Sequence, residues 1–168
     1  MSPELESVRR EAERTTRGIL SDGWLRAPQG HWNSLQILEH LLLSYTATTK
    51  GLLRTMGSGQ LDRSSPSVSE RIRRFYVLGV GRFPPGVESP KQTRPKSGLG
   101  NEPLRQFNDA LVAMDATLAD AEKRFGSKIP LLRHPILGPL TARQWRRFHQ
   151  VHGRHHLSQV VARVKMRD

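Results

Sequence analysis

Apolar side chains recur every three or four residues along four long segments of this chain, a spacing typical of helices that bury one face. The clearest segment runs from about Glu102 to Phe125, with Asn101 as its cap and Gly126 as its stop. Its apolar stripe consists of Leu104, Phe107, Leu111, Met114, Leu118 and Ala121. We expect this segment to be the third long helix of the chain.

Local capping signals set the bounds of the first two helices. The first is expected to begin at Ser2-Pro3, with Pro3 at the first helical position, and to end near Gly23. The second begins at Asn33 or Ser34, where Asn33 and Gln36 form a capping box, and ends at about Met56-Gly57.

Two further capping boxes follow. Ser67 to Glu70 is expected to open a short helix through about Leu78, and Thr141 to Gln144 opens the fourth long helix, which continues to near the C-terminus. Between the second and third helices, residues 57–101 are punctuated by Gly, Pro and Ser. The part from Gly81 to Gly100 is too long for an ordinary connection, which predicts a lid over a site.

Four long helices and no convincing strand predict an all-α fold. An antiparallel four-helix bundle with a long insertion between the second and third helices is the natural packing. A length of 168 residues suits one domain, residues 1–168.

Four of the seven histidines lie in the last helix. A stripe of that helix carries Trp145, His149, His152, His156, Gln159 and Arg163. His152 and His156 are four residues apart, so both rings can meet one ion, and His149 with His152 is a second pair. His155 lies to one side of the stripe. The alternative is a histidine-rich surface helix.

A third metal ligand must come from elsewhere, and His40 is the best candidate because it lies inside the apolar second helix. The chain has no Cys, which excludes disulfides, thiolate metal sites and a cysteine nucleophile. Three imidazole ligands leave one coordination position of the metal open for water or substrate, which is typical of catalytic sites. Zn²⁺ fits this donor set best, and Ni²⁺ is a second candidate.

Two segments resemble the DinB-like (DinB/YfiT-like) superfamily, in its branch of domains of unknown function. One runs from Trp32 through Gln36 to His40-Leu41. The other joins His134-Pro135-Ile136-Leu137-Gly138-Pro139-Leu140-Thr141 to the run His152-Gly153-Arg154-His155-His156-Leu157-Ser158-Gln159. The resemblance covers most of the chain.

The resemblance implies an up-down-down-up four-helix bundle with a divalent metal held by His40, His152 and His156. It also implies thiol-dependent transfer or isomerisation, since characterised relatives use bacillithiol, mycothiol or glutathione, and it implies dimers. We therefore expect a metal-dependent enzyme that acts on a small-molecule electrophile, with a low-molecular-weight thiol as a cofactor.

Several side chains could support this chemistry. Those that could orient a ligand or substrate are Gln36, Ser44, His149 and Gln159. Trp32 and Trp145 either wall a pocket or belong to the core. No carboxylate stands out as a general base.

The formal charge of +12 allows an anionic partner. Basic residues between Arg82 and Lys96 could attract the carboxylates of a cofactor, or they form a solvated loop. The arginines of the last helix, Arg143, Arg146, Arg147 and Arg154, are expected to form a solvated face.

The competing function is a non-catalytic, metal-stabilised protein that associates with nucleic acid through its basic surface. The absence of a recognition-helix signature and an aromatic content of 6% argue against nucleic acid. The polar N-terminus and the short apolar runs predict a soluble cytoplasmic protein with no membrane partner.

Overall fold

The structure is a computed structural model that describes residues 1–19, 21–83, 88–96, 99 and 102–165. This part of the chain is mostly helical and contains five α-helices and one small hairpin. The elements are α1 (Pro3–Thr16), α2 (Ser34–Ser58), α3 (Val68–Arg74), α4 (Pro103–Phe125), β1 (Leu132–His134), β2 (Gly138–Leu140) and α5 (Ala142–Val164). A π-helical turn, Phe75–Val80, continues α3, and short 3₁₀ turns cover Ser21–Trp24 and Lys91–Thr93.

The predicted starts of α1, α2, α3 and α5 are confirmed. Ser2 precedes α1 with Pro3 in its first turn. The three predicted capping boxes are present with both reciprocal hydrogen bonds at the starts of α2, α3 and α5. The predicted cap Asn101 lies outside the described residues, and α4 begins after Glu102.

Two helix ends differ from the prediction. α1 ends at Thr16, well before Gly23, and Gly18 follows with a φ of 75°, a conformation that favours glycine and cannot continue the helix. α2 continues through Gly57 to Ser58. Gly59 then takes a φ of 68° and donates its N–H to the Thr55 carbonyl.

The expectation of no strand is wrong for residues 132–140. β1 and β2 pair antiparallel, with Leu132 opposite Leu140 and His134 opposite Gly138. The His134 ring shapes the connecting turn, because its Nδ1 accepts hydrogen bonds from the N–H groups of Ile136 and Leu137 at 3.1 and 3.2 Å. Strands of three residues are too short to show the alternation that predicts a strand.

The four long helices surround one core. α2 packs against α4 and α5, α1 packs against α5 and α4, and the hairpin contacts α2, α3 and α5. Buried apolar side chains come from the four long helices and the hairpin, among them Leu5, Leu38, Tyr45, Phe107, Met114, Leu140 and Leu157. Each large apolar side chain contributes about 2 kcal/mol on burial. Among the described residues, no helix is both long and apolar enough to cross a bilayer.

The arginines of α5 do not all face solvent, so the predicted solvated face is wrong in part. Arg146 bridges to α4, with its Nε 2.9 Å from Asp115 Oδ1 and its Nη1 2.7 Å from Glu122 Oε2. Arg147 is partly buried and donates to the Leu78 carbonyl. Arg143 and Arg154 are exposed.

Gly153 lies where α5 packs closely against α1. A Cβ at this position would lie 2.7 Å from Cγ1 of Val8 and 3.4 Å from the Tyr45 hydroxyl. Both neighbouring side chains are fully buried, so they have little room to move. The glycine therefore lets the helix that carries the histidines pack directly on α1 and α2.

We expect Gly153→Ala to destabilise the protein by about 1–3 kcal/mol, because overpacking outweighs the gain in helix propensity. Urea denaturation measures the change. Gly57→Ala is the matched control, since nothing lies within 4 Å of a Cβ there, and it should be neutral or stabilising. Val8→Ala should restore part of the loss in the double variant, and a stabilising Gly153→Ala would contradict the proposed packing.

Candidate metal centre

Three histidines from two helices meet at one place. His40 comes from α2, and His152 and His156 come from successive turns of α5. One ring nitrogen from each lies within 4.8 Å of the others. The ring centroids are 5.0 Å apart for His40 and His152 and 4.7 Å apart for each pair that includes His156. The α2–α5 contact thus brings together the three residues predicted from the sequence.

The hydrogen bonds of His40 fix which ring nitrogen faces the cluster. Its Nδ1 lies 2.7 Å from the backbone carbonyl of Thr93. Because a carbonyl only accepts, Nδ1 carries the proton and Nε2 of the neutral ring keeps its lone pair. That lone pair faces the cluster, where Nε2 of His152 lies 3.1 Å away.

His156 is oriented in the same way by a side chain. Its Nδ1 lies 2.9 Å from Oε1 of Gln159, and the amide nitrogen of Gln159 lies 3.3 Å from Nε2 of His155. With the amide in this orientation, His156 Nδ1 donates and its Nε2 is unprotonated. An oxygen acceptor on the outer nitrogen is the usual support for a metal-binding histidine.

His152 is buried beside an aromatic ring. It is 7% exposed, and its Nδ1 is buried without a hydrogen-bond partner in the described structure. Its ring stacks on Phe148 at a centroid distance of 5.4 Å and an interplanar angle of 14°. Its Nε2 faces His40 and is the nitrogen directed at the cluster.

The rings are neutral in the folded protein at pH 7. Burial lowers the pKa of His156 to about 3 and places the pKa of His152 well below its usual range. Burial also lowers the pKa of His40, although the Thr93 carbonyl opposes this shift. The cluster of described residues contains three histidines and no carboxylate. Neutral imidazoles with converging lone pairs are the form that binds Zn²⁺ or Ni²⁺, so the donor set fits a divalent ion.

Aromatic rings wall the cluster. The Trp32 ring lies 5.0 Å from His40 and 6.4 Å from His156, and Phe83 lies 5.4 Å from His152. Trp32 is held by its carbonyl, which accepts from Nε of Arg163 at 3.1 Å. Trp145 lies elsewhere, in the core, where its indole N–H donates to the Leu132 carbonyl.

The insertion between α2 and α4 takes part in the centre. Thr93 supplies the carbonyl that holds His40, and the Lys96 N–H donates to Glu39 Oε1 at 2.9 Å, one residue from His40. The sequence did not indicate Thr93, because its contribution is a backbone atom, which no side-chain pattern reports. Nor did it indicate Phe83, whose role depends on the path of the loop.

The other residues singled out in the sequence have different surroundings. Gln36 accepts from the Asn33 N–H in the capping box of α2. The Ser44 hydroxyl donates to the His40 carbonyl within the same helix. His149 is outside the cluster, since its Nε2 lies 3.0 Å from the Thr48 hydroxyl and its ring stacks on Trp145. Gln159 contacts His156 directly.

We expect Gln159→Leu to weaken Zn²⁺ binding about tenfold, because His156 loses the acceptor that orients it. Competition with a chromophoric chelator measures the affinity. Gln159→Glu is the matched control, since it keeps an oxygen acceptor and should retain the affinity. Equal losses in the two variants would show that the hydrogen bond does not support the centre.

The buried histidines predict acid sensitivity of the metal-free protein. Burial lowers the pKa of His134 to about 4 and that of His149 to about 3. Below pH 6.5 the unfolded chain takes up protons that the folded protein does not, so stability falls as the pH falls. The loss between pH 7 and 5.5 is about 1 kcal/mol for each such histidine.

His149→Leu should therefore reduce this pH-dependent loss by about 1 kcal/mol. Urea denaturation with a chelator present, at pH 7 and pH 5.5, tests the prediction. His31→Leu, at an exposed position, is the surface control. An unchanged difference between the two pH values in His149→Leu would contradict the neutral buried ring.

Comparison with known proteins gives a family match over part of the chain. Residues 86–163 match the family model described as a protein of unknown function, DUF1569. The matched stretch includes α4, the hairpin and most of α5, and with them His152 and His156, whereas His40 lies before it. No curated protein and no solved structure gives a significant match.

Proposed function

We propose that this chain is a DinB-like four-helix bundle that binds one divalent metal ion at His40, His152 and His156 and uses it in catalysis. The observation that carries the proposal is the convergence of three neutral imidazoles, two of them with their outer nitrogens bonded to oxygen acceptors. The packing of α1, α2, α4 and α5 around one core supports the bundle.

A catalytic role is favoured over a structural one by the small number of ligands. Structural zinc sites in proteins are almost always closed by four protein ligands, whereas catalytic sites have three and an open position. The described cluster contains three, and His156 remains partly accessible to solvent. Zn²⁺ is the expected ion for an all-nitrogen set, and Ni²⁺ is the second candidate.

The reaction class proposed is transfer of a thiol to a small electrophile, or a thiol-dependent isomerisation. When bound, the ion lowers the pKa of a thiol or water at the open position and so provides a nucleophile near neutral pH. The chain has no Cys, so the thiol must be a separate small molecule. Trp32 and Phe83 limit access of water to the cluster, while Thr93 and Gln159 hold the rings in place.

The remaining expectations about partners stay predictions. They are a small-molecule substrate, a homodimer, no membrane partner and a cytoplasmic location. A non-catalytic, metal-stabilised protein is the competing function, and the activity screen below separates it from the enzyme.

The purified protein should retain about one Zn²⁺ or Ni²⁺ for each chain. His40→Gln, His152→Gln and His156→Gln should each weaken binding at least about 100-fold, since even loss of an outer hydrogen-bond partner costs 10–100-fold. Elemental analysis after dialysis and chelator competition measure both effects. The exposed His31→Gln is the control and should bind as the unaltered protein does.

Metal content that is the same in all four variants would overturn the proposal. Activity is tested by a screen of glutathione, bacillithiol and mycothiol against small electrophiles. Turnover that disappears in His152→Gln supports the enzyme. A metal that raises the unfolding temperature without turnover in any combination favours the non-catalytic protein.

A further inference from the structure

A second polar feature lies next to the histidine cluster. It is a cleft of about 460 Å³ whose lining includes Arg82, Arg147 and Arg154, together with His155 and Phe83. We refer to these three arginines and the space between them as the arginine cleft. None of its residues is a member of the three-histidine cluster.

Two elements build the arginine cleft. On α5, Arg147, Val151 and Arg154 are spaced by four and three residues and so share one face of the helix. The other side comes from the segment after the π-helical turn. Gly81 takes a φ of 77°, and a Cβ there would lie 3.3 Å from Nη2 of Arg147. The glycine thus lets the backbone lie against the guanidinium and directs Arg82 toward α5.

Arg147 is held in place by neutral groups. Its Nε donates to the Leu78 carbonyl at 3.1 Å and its Nη1 donates to Oε1 of Gln150 at 2.7 Å. Neither acceptor carries a charge, so these bonds orient the guanidinium without neutralising it. A fixed guanidinium is suited to bidentate recognition of a carboxylate or phosphate.

The charges of the other two arginines are also little offset by neighbouring carboxylates. Nε of Arg154 lies 3.8 Å from Glu11, at the limit of an ion pair, and the Arg154 side chain is 53% exposed. Arg82 is exposed and has no ion pair within the described part of the chain. No carboxylate side chain is among the described residues that line the cleft. Three like charges in one concave site repel one another, and a bound anion would remove that repulsion.

The arginine cleft and the candidate metal centre share a wall. The Phe83 ring stacks on His155 at a centroid distance of 5.6 Å and lies 5.4 Å from His152. His155 in turn lies 5.0 Å from His156. Only one layer of rings therefore separates the histidine cluster from a small molecule whose acidic group is held in the cleft.

We propose that the arginine cleft binds the carboxylate or phosphate of a small anionic molecule and presents its other end to the metal centre. The position of the reacting end rests on the proposed function, whereas anion binding by the three arginines does not. The proposal assigns a ligand to a defined part of the basic surface and names the substrate or cofactor class as an oxyanion.

Anion binding is tested first in the chelator-treated protein, at physiological ionic strength, with ¹⁹F NMR of 3,3,3-trifluoropropionate. The neutral alcohol 3,3,3-trifluoropropanol is the matched probe. We expect saturable binding of the carboxylate only. Arg82→Gln/Arg154→Gln, at two exposed side chains, should raise its dissociation constant at least about tenfold. Competition by inorganic phosphate gives its affinity relative to that of the carboxylate, and the tighter of the two anions indicates whether the ligand is a phosphate or a carboxylate.

Arg54→Gln/Arg105→Gln is the control, because it removes the same charge at exposed positions outside the cleft. It should change the dissociation constant less than about twofold. Equal weakening by the two double variants, or no saturable binding, would overturn the cleft as an anion site. Arg147→Gln should weaken binding further, provided that its circular dichroism spectrum matches that of the unaltered protein.

The link to the metal centre is tested with Co²⁺, whose unpaired electrons broaden nearby ¹⁹F signals. The signal of the bound probe should broaden in the Co²⁺-loaded protein, and the broadening should be absent in His156→Gln, which loses a ligand of the ion. A sharp signal from the bound probe with Co²⁺ present would overturn the placement beside the metal. Failure to bind Zn²⁺, Ni²⁺ and Co²⁺ would refute the proposed function alone, since the metal-free measurements still decide the anion site.

Discussion

Three imidazole rings occupy one buried position between α2 and α5, and the rest of the site is organised around their need to stay neutral and oriented. A buried ring must place its N–H on an acceptor and its lone pair on a donor or cation. Thr93 and Gln159 take the outer protons of His40 and His156. The Nε2 lone pairs of these two rings then face the cluster, an arrangement that a divalent cation stabilises and that protonation would disrupt.

The insertion between α2 and α4 is part of this arrangement, although its composition suggested only a lid. Thr93 fixes His40, and the π-helical turn with Gly81 directs Arg82 and Phe83 to the face of α5. π-Helical turns are frequent at functional sites because they displace the following side chains from the regular helical positions. The Phe83 ring lies between the histidine cluster and the arginine cleft, so one loop contributes to both.

Local signals in the sequence predicted the helices well and the irregular segments poorly. The capping boxes at Asn33, Ser67 and Thr141 depend on residues three positions apart, so the sequence shows them directly. The hairpin of β1 and β2 was missed because three-residue strands carry no readable period. The role of Arg146 was missed for another reason, since its partners on α4 are distant in sequence.

The sequence by itself determined the four long helices, most of their starts, and the pair His152 and His156, because helical periodicity and capping are properties of neighbouring residues. Only the tertiary structure decided that His149, which the sequence left as a second possible partner of His152, remains in the core beside Thr48 while His40 joins the cluster as predicted. It also decided which nitrogen of His40 carries the proton, and that three arginines share one cleft. These features depend on contacts between segments 50 to more than 100 residues apart, such as His40 with Thr93 and with His152. The packing of α2, α5 and the insertion sets those contacts, and no local pattern encodes them.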